Sequence, residues 1–185
     1  MFVSELADKD ALLLLALASR TRAMLVFLAG STAFILTTVV NVAIGALVTS
    51  IVPLVWVKVA GGSVMVAYGL WEARGLLGQK LVKEEVERLE KGRGGPKAFL
   101  GMVGALALLD LAGDATQVLT IVFVAHYTDV LLVFVATCVG LIAATALETV
   151  LGNRLGKLLN PKRLRFVSVV VFLVLGGFIV VTSAT

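Results

Sequence analysis

Six of the twelve acidic residues, Glu5, Asp8, Asp10, Asp110, Asp114 and Glu148, fall within long apolar stretches. On insertion scales a charge at the centre of a bilayer costs about 2.5–3.5 kcal/mol, so such residues should face a cavity, a partner or an ion. Glu5 and Asp8 are spaced i,i+3 and Asp110 and Asp114 i,i+4, so each pair can share one helix face. Converging carboxylates, backed by carbonyl and hydroxyl oxygens, suit hard dications such as Mg²⁺, Ca²⁺ and Mn²⁺. Asn41 and Glu148 would complete such a shell, and Thr116 and Gln117 would add neutral oxygens. A carboxylate in a low-dielectric cavity holds its proton, and a bound dication displaces it. Exchange of metal for protons is the natural chemistry of the set.

Blander readings stand beside this one. Glu5 and Lys9 are i,i+4 and could neutralise each other. Asp10 reads as lying near the membrane interface, and Asp129 as solvated in a short outer turn. Asp110 and Glu148 could be interhelical hydrogen-bonding groups. His126 reads as an interfacial loop residue, and Cys138, the only cysteine, as a small core residue that excludes an intramolecular disulfide.

The elements that must hold these acids follow from composition. The 185 residues are 59% apolar and 15% charged, with a mean hydropathy of +1.05. Soluble domains are about 45–50% apolar and about 25% charged. A soluble enzyme, a disordered chain and a nucleic-acid reader are excluded, despite the +4 net charge. No Ser/His/Asp set, metal-His motif or nucleotide loop is present, so no enzyme is expected.

Charges are absent from Ala23 to Val57, Val59 to Trp71, Val130 to Leu147 and Phe166 to Thr185. About 20 apolar residues cross a bilayer as a helix, and period-2 alternation is missing. The pattern predicts an all-α polytopic membrane protein with six transmembrane helices, at 2–19, 23–49, 53–72, 98–125, 129–153 and 163–182. A signal peptide at 11–19 is the rival reading of the first, but Glu5, Asp8 and Asp10 precede it where positive charge is wanted.

Apart from Lys9 and Lys58, every Lys and Arg falls on one side of the six-helix path. The positive-inside rule makes that side cytoplasmic and puts both termini outside. Residues 73–97 then form a charged cytoplasmic connector. Leu81, Val82, Val86 and Leu89 are spaced as on a short surface helix.

The chain also repeats itself. The segment Leu25–Ala29 matches Leu132–Ala136, and Val40–Gly45 matches Leu147–Gly152. Asp8 then pairs with Asp114, Asn41 with Glu148, Pro53 with Pro161 and Gly69 with Gly177, at offsets of 106 to 108. Residues 1–72 and 98–185 thus read as three-helix repeats. Three is odd, so the two insert in opposite senses, an arrangement that places transporter sites at the repeat interface. Gly45, Gly61, Gly62, Gly69, Gly152, Gly156, Gly176 and Gly177 would allow close helix packing.

At these residues the chain resembles the UPF0016 family, the Gdt1/TMEM165 group of small six-helix cation transporters, whose motif Glu-x-Gly-Asp-(Lys/Arg)-(Ser/Thr) occurs once per repeat. Glu5-Leu6-Ala7-Asp8-Lys9-Asp10 keeps the Glu, Asp and Lys of that motif. Leu111-Ala112-Gly113-Asp114-Ala115-Thr116 keeps the Gly, Asp and Thr, with Asp110 one residue before the missing Glu. The resemblance implies Mn²⁺ or Ca²⁺ transport against protons in the cell membrane, with Glu5, Asp8 and Asp114 as site residues. It implies metal ion and proton as substrates, the bilayer as surroundings, no tightly bound cofactor and no nucleic acid; a homo-oligomer is compatible with it. Export of an amino acid or small organic cation is the alternative for this architecture.

Overall fold

A computed structural model describes residues 5, 9–74, 86, 95–111, 115–127, 129–155 and 161–183. They form seven helices: α1 (Lys9–Arg20), α2 (Ala23–Ile51), α3 (Leu54–Arg74), α4 (Pro96–Leu111), α5 (Ala115–His126), α6 (Val130–Leu155) and α7 (Pro161–Ser183). Strands are absent among the described residues.

Local chemistry sets the boundaries. Val52 precedes a proline and is extended, at φ −109° and ψ 128°, as clash with the proline ring requires. Pro53 then accepts the first backbone bonds of α3, from Trp56 and Val57. Pro96 and Pro161 open α4 and α7, where the missing N–H has no intrahelical partner to lose. Gly95, ahead of α4, takes a φ of +105°, which a side chain would strain. Asp129 caps α6: Leu132 N–H donates to its Oδ1 at 2.9 Å. The aspartate read as merely solvated is therefore an N-cap.

The expected single helix over 98–125 is two helices. The axes of Pro96–Leu111 and Thr116–His126 differ by 63°. The intervening Ala112-Gly113-Asp114 contains glycine, a weak helix former. By length and composition, Ala23–Ile51 and Val130–Arg154 are each long and apolar enough to cross a membrane, and the bent α4–α5 pair counts as a third candidate. Leu54–Leu70 and Val169–Thr182 are shorter apolar helices. On α7, Phe166, Val170, Val174 and Phe178 form an exposed stripe four residues apart, a surface suited to lipid rather than water.

Packing runs crosswise between the halves. α1 lies on α6 and α5 on α2, while α2 packs on α6 and α3 on α7. One buried cluster joins Leu13, Leu17, Val26, Phe34, Met102 and Leu106 from α1, α2 and α4. A second joins Met65, Leu119 and Phe172 from α3, α5 and α7, with Tyr68 edge-on to Phe172. Val86, from the connector, is buried in the first cluster. The rest of the expected surface helix at 78–91 lies outside the described residues.

The crossings require glycine. A methyl group on Gly45 would stand 3.0 Å from Val124 Cβ and 3.3 Å from Ile121 Cα; one on Gly152 would stand 2.5 Å from Leu15 O and 2.9 Å from Ala18 Cβ. Leu15 and Ala18 are the repeat counterparts of Ile121 and Val124. Gly62 and Gly176 meet across α3 and α7, each within 2.9 Å of a methyl built on the other's side. Gly177 has nothing within 4 Å and is not a packing glycine; Gly156 lies outside the described residues.

Gly152→Ala should destabilise the protein by about 1–3 kcal/mol through overpacking. Gly177→Ala should be neutral or slightly stabilising, because alanine is the better helix former. Thermal unfolding in detergent distinguishes the two.

Candidate functional site

The buried face of α4 is a single stripe, Ala98, Met102, Leu106 and Asp110, at four-residue intervals. Asp110 ends it, 1% exposed, whereas the neighbouring Leu111 is 37% exposed. The chain then turns, and Thr116 lies in the first turn of α5, fully buried.

Across the molecule, Thr116 Oγ1 donates a hydrogen bond to Glu5 Oε2 at 3.0 Å. Both side chains are out of contact with solvent. A hydroxyl from the second motif copy therefore holds the carboxyl of the first. A net contribution of about 0.5–1.5 kcal/mol is typical of such a bond between neutral groups. Asp10, the repeat counterpart of Thr116, is also fully buried against the protein. A charge near the end of an apolar run is ambiguous by itself; its pairing with Thr116 was the signal available in the sequence.

The second pair of elements is α2 and α6. Thr38, Asn41 and Gly45 share one face of α2, and Thr145, Glu148 and Gly152 occupy the matching face of α6; all six are buried. The threonines satisfy themselves within their own helices. Thr38 Oγ1 donates to Phe34 O at 2.6 Å and Thr145 Oγ1 to Leu141 O at 2.8 Å. Such back-bonding costs no foreign partner. Among the described residues, Asn41 Oδ1 is buried without a hydrogen-bond donor. It is an acceptor in the protein interior of the kind a hard cation uses.

Of the other expected site residues, Gln117 is half-buried. Asp8 and Asp114 lie outside the described residues, as does the side chain of Lys9. Among the described residues no three of Asp, Glu, His or Cys come together as a metal-holding group. His126 is exposed at the end of α5, its ring 5.0 Å from that of Tyr127 and edge-on to it. Cys138 is half-buried and hydrogen-bonds the Thr38 side chain.

The arrangement thus places carboxyl, amide and hydroxyl oxygens from both halves in the interior of an apolar bundle, with the Glu5–Thr116 bond as a direct link. A family model described as "Divalent cation/proton antiporter GDT1" matches residues 1–79 and 98–185. No curated protein and no solved structure matches the chain.

Thr116→Val should remove the donor while leaving Glu5 buried, at a cost of about 1–3 kcal/mol. Thr116→Ser should retain most of the stability. The thermal midpoints of the two variants in detergent provide the check.

Proposed function

The chain belongs to the GDT1 family of divalent cation/proton antiporters, and we propose that it exchanges Mn²⁺ or Ca²⁺ for protons through a carboxylate site where its two halves meet. The observation that carries this reading is the buried bond from Thr116 to Glu5, which joins the two motif copies. Glu5, Asp8 and Asp114 are its principal ligands, with Asn41, Glu148, Thr116 and Gln117 around them.

Asp110 takes the place of the glutamate missing from the second copy. Support comes from the orientation of α4: position 110 turns inward and position 111 outward. A shift of one residue in sequence is thereby offset by the rotation of the helix. The crosswise packing of α1 on α6 and α5 on α2, and the equivalent contacts at Gly45 and Gly152, support six spans in two inverted repeats. The basic residues then face the cytoplasm in the cell membrane, with both termini outside.

Physical chemistry favours exchange over simple passage. Ionised carboxylates without a counter-charge are expensive at membrane depth. Two protons on the carboxyl set and one dication carry the same charge, so exchanging one for the other leaves the net charge of the site unchanged. Each cargo therefore displaces the other, and the site never crosses the bilayer with a large net charge. The neutral oxygens of Asn41 and Thr116 replace part of the ion's hydration in either state.

The test is flux in proteoliposomes carrying an internal pH dye. Mn²⁺ or Ca²⁺ uptake should drive protons the opposite way, and Asp110→Asn should slow it by at least about tenfold, the scale of losing one metal-site group. Adding Leu111→Glu to Asp110→Asn should not restore the flux, because position 111 faces outward. Metal movement that ignores the proton gradient, or amine transport without metal transport, would overturn the reading.

A further inference from the structure

Asn41 and Glu148 are repeat counterparts, yet the packing holds them far apart. Gly30 on α2 meets Thr145 on α6. Phe34 shares a buried cluster with Leu141, and Val42 shares one with Val133. The Thr38 side chain bonds Cys138. These pairs fix one antiparallel register, in which Asn41 is level with Phe134 and Glu148 with Phe27. At 1.5 Å per residue, positions 27 and 41 of α2 are separated by about 20 Å along the helix. A hard dication holds its oxygens at about 2.0–2.6 Å, so no single ion touches both residues. Asn41 and Glu148 do not complete one shell; they flank the carboxyls from opposite ends. Glu148 is on the side of Arg22 and Arg154, and Asn41 is on the other.

Asn41 adjoins the bond between Glu5 and Thr116. α1 and α6 run in the same sense, since Leu14 lies at Gly30, opposite Thr145, while Ala18 lies at Gly152. The repeat gives α5 and α2 the same relation. Gly45 meets Ile121 and Val124, so Asn41, one turn earlier, is level with the turn of α5 over 117–120. Thr120 is buried there and donates to Thr116 O at 2.8 Å, which leaves the lone pairs of its own oxygen for a cation. Asn41 is 2% exposed, and among the described residues its Oδ1 accepts no hydrogen bond. An unmet buried acceptor is destabilising, and a cation relieves it.

We propose that Asn41 selects among hard cations in the exchange described above, on which this inference rests. Its oxygen is sealed from solvent, so an ion that meets it does so directly, with no water between. Mg²⁺ sheds water reluctantly and usually keeps several molecules, whereas Ca²⁺ takes amide carbonyl oxygens in flexible geometry. A neutral oxygen attracts too weakly to strip Mg²⁺, while a carboxylate holds either ion. Asn41 therefore admits the larger Ca²⁺ or Mn²⁺ and rejects Mg²⁺. Glu148, at the opposite end, binds without that discrimination.

The experiment measures Ca²⁺ and Mn²⁺ uptake by the full chain in proteoliposomes, with Mg²⁺ as competitor. Excess Mg²⁺ should inhibit the wild type little. Asn41→Leu, of similar volume but without the oxygen, should raise the KM for the transported ion about tenfold, the scale of losing one metal-site group. Inhibition by Mg²⁺ should stay where it was, so selectivity falls by the same factor. The thermal midpoint of Asn41→Leu should rise, because an unmet acceptor is gone; a purely structural asparagine predicts a fall. Asn41→Asp should regain affinity and bind Mg²⁺ more tightly, and Glu148→Gln should weaken both ions together. An unchanged selectivity in Asn41→Leu, or an equal loss of it in Glu148→Gln, would overturn the inference and leave the exchange intact. A wild-type protein that moves no dication would overturn the exchange and this inference with it.

Discussion

Burial of carboxyl groups inside an apolar bundle is the constraint to which the rest of this structure answers. Glu5, Asp10, Asp110 and Glu148 are all shielded from solvent. Lipid supplies neither water nor counter-charge, so the helices must enclose these groups themselves. Enclosure by single helices requires close approach, and close approach requires residues without side chains at the crossings. Gly45 and Gly152 therefore follow from the acids as much as from helix packing in general. The threonines follow as well: by bonding back to their own helices they keep hydroxyl groups in the interior without demanding partners from the acids.

The two halves solve this problem with similar geometry and different chemistry. Leu15 and Ala18 meet Gly152 just as Ile121 and Val124 meet Gly45, so the crossing is reproduced almost residue for residue. The polar set is not. Glu5 corresponds to Leu111, Asp10 to Thr116 and Asn41 to Glu148. An acid lost at one position is matched by an acid gained near it, so the interior keeps its carboxyls while redistributing them. Backbone shape is constrained by packing on every side, whereas a charge can move one residue along a helix if the helix turns to suit.

Much of this was legible in the sequence, for reasons that also explain what was not. Charge-free runs and prolines located α2, α3, α6 and α7 to within two residues at either end. The sequence placed Thr116 and Glu5 among the candidate oxygen ligands, and their side chains are hydrogen-bonded. The bend between α4 and α5 was missed because hydropathy is blind to direction: Leu106 to Leu111 and Ala115 to Val124 are equally apolar whether or not the chain turns between them. The enclosure of Asp10 by the bundle was hidden for a related reason. In lipid an apolar residue is at home inside or outside the bundle, so helix faces cannot be assigned from hydrophobicity. Only the folded structure shows that Asp110 faces in and Leu111 out.

The distribution of the buried clusters bears on how such a molecule can flex. The sequence divides at the connector, but the packing does not. One cluster binds α1 and α2 to α4, which belongs to the other half, and Val86 of the connector is sealed into it. The other binds α3 to α7, again one helix from each half, against α5. Each buried cluster therefore draws on both halves of the sequence. The boundary between the two clusters therefore runs between a central bundle and the α3–α7 pair, across the division at the connector rather than along it.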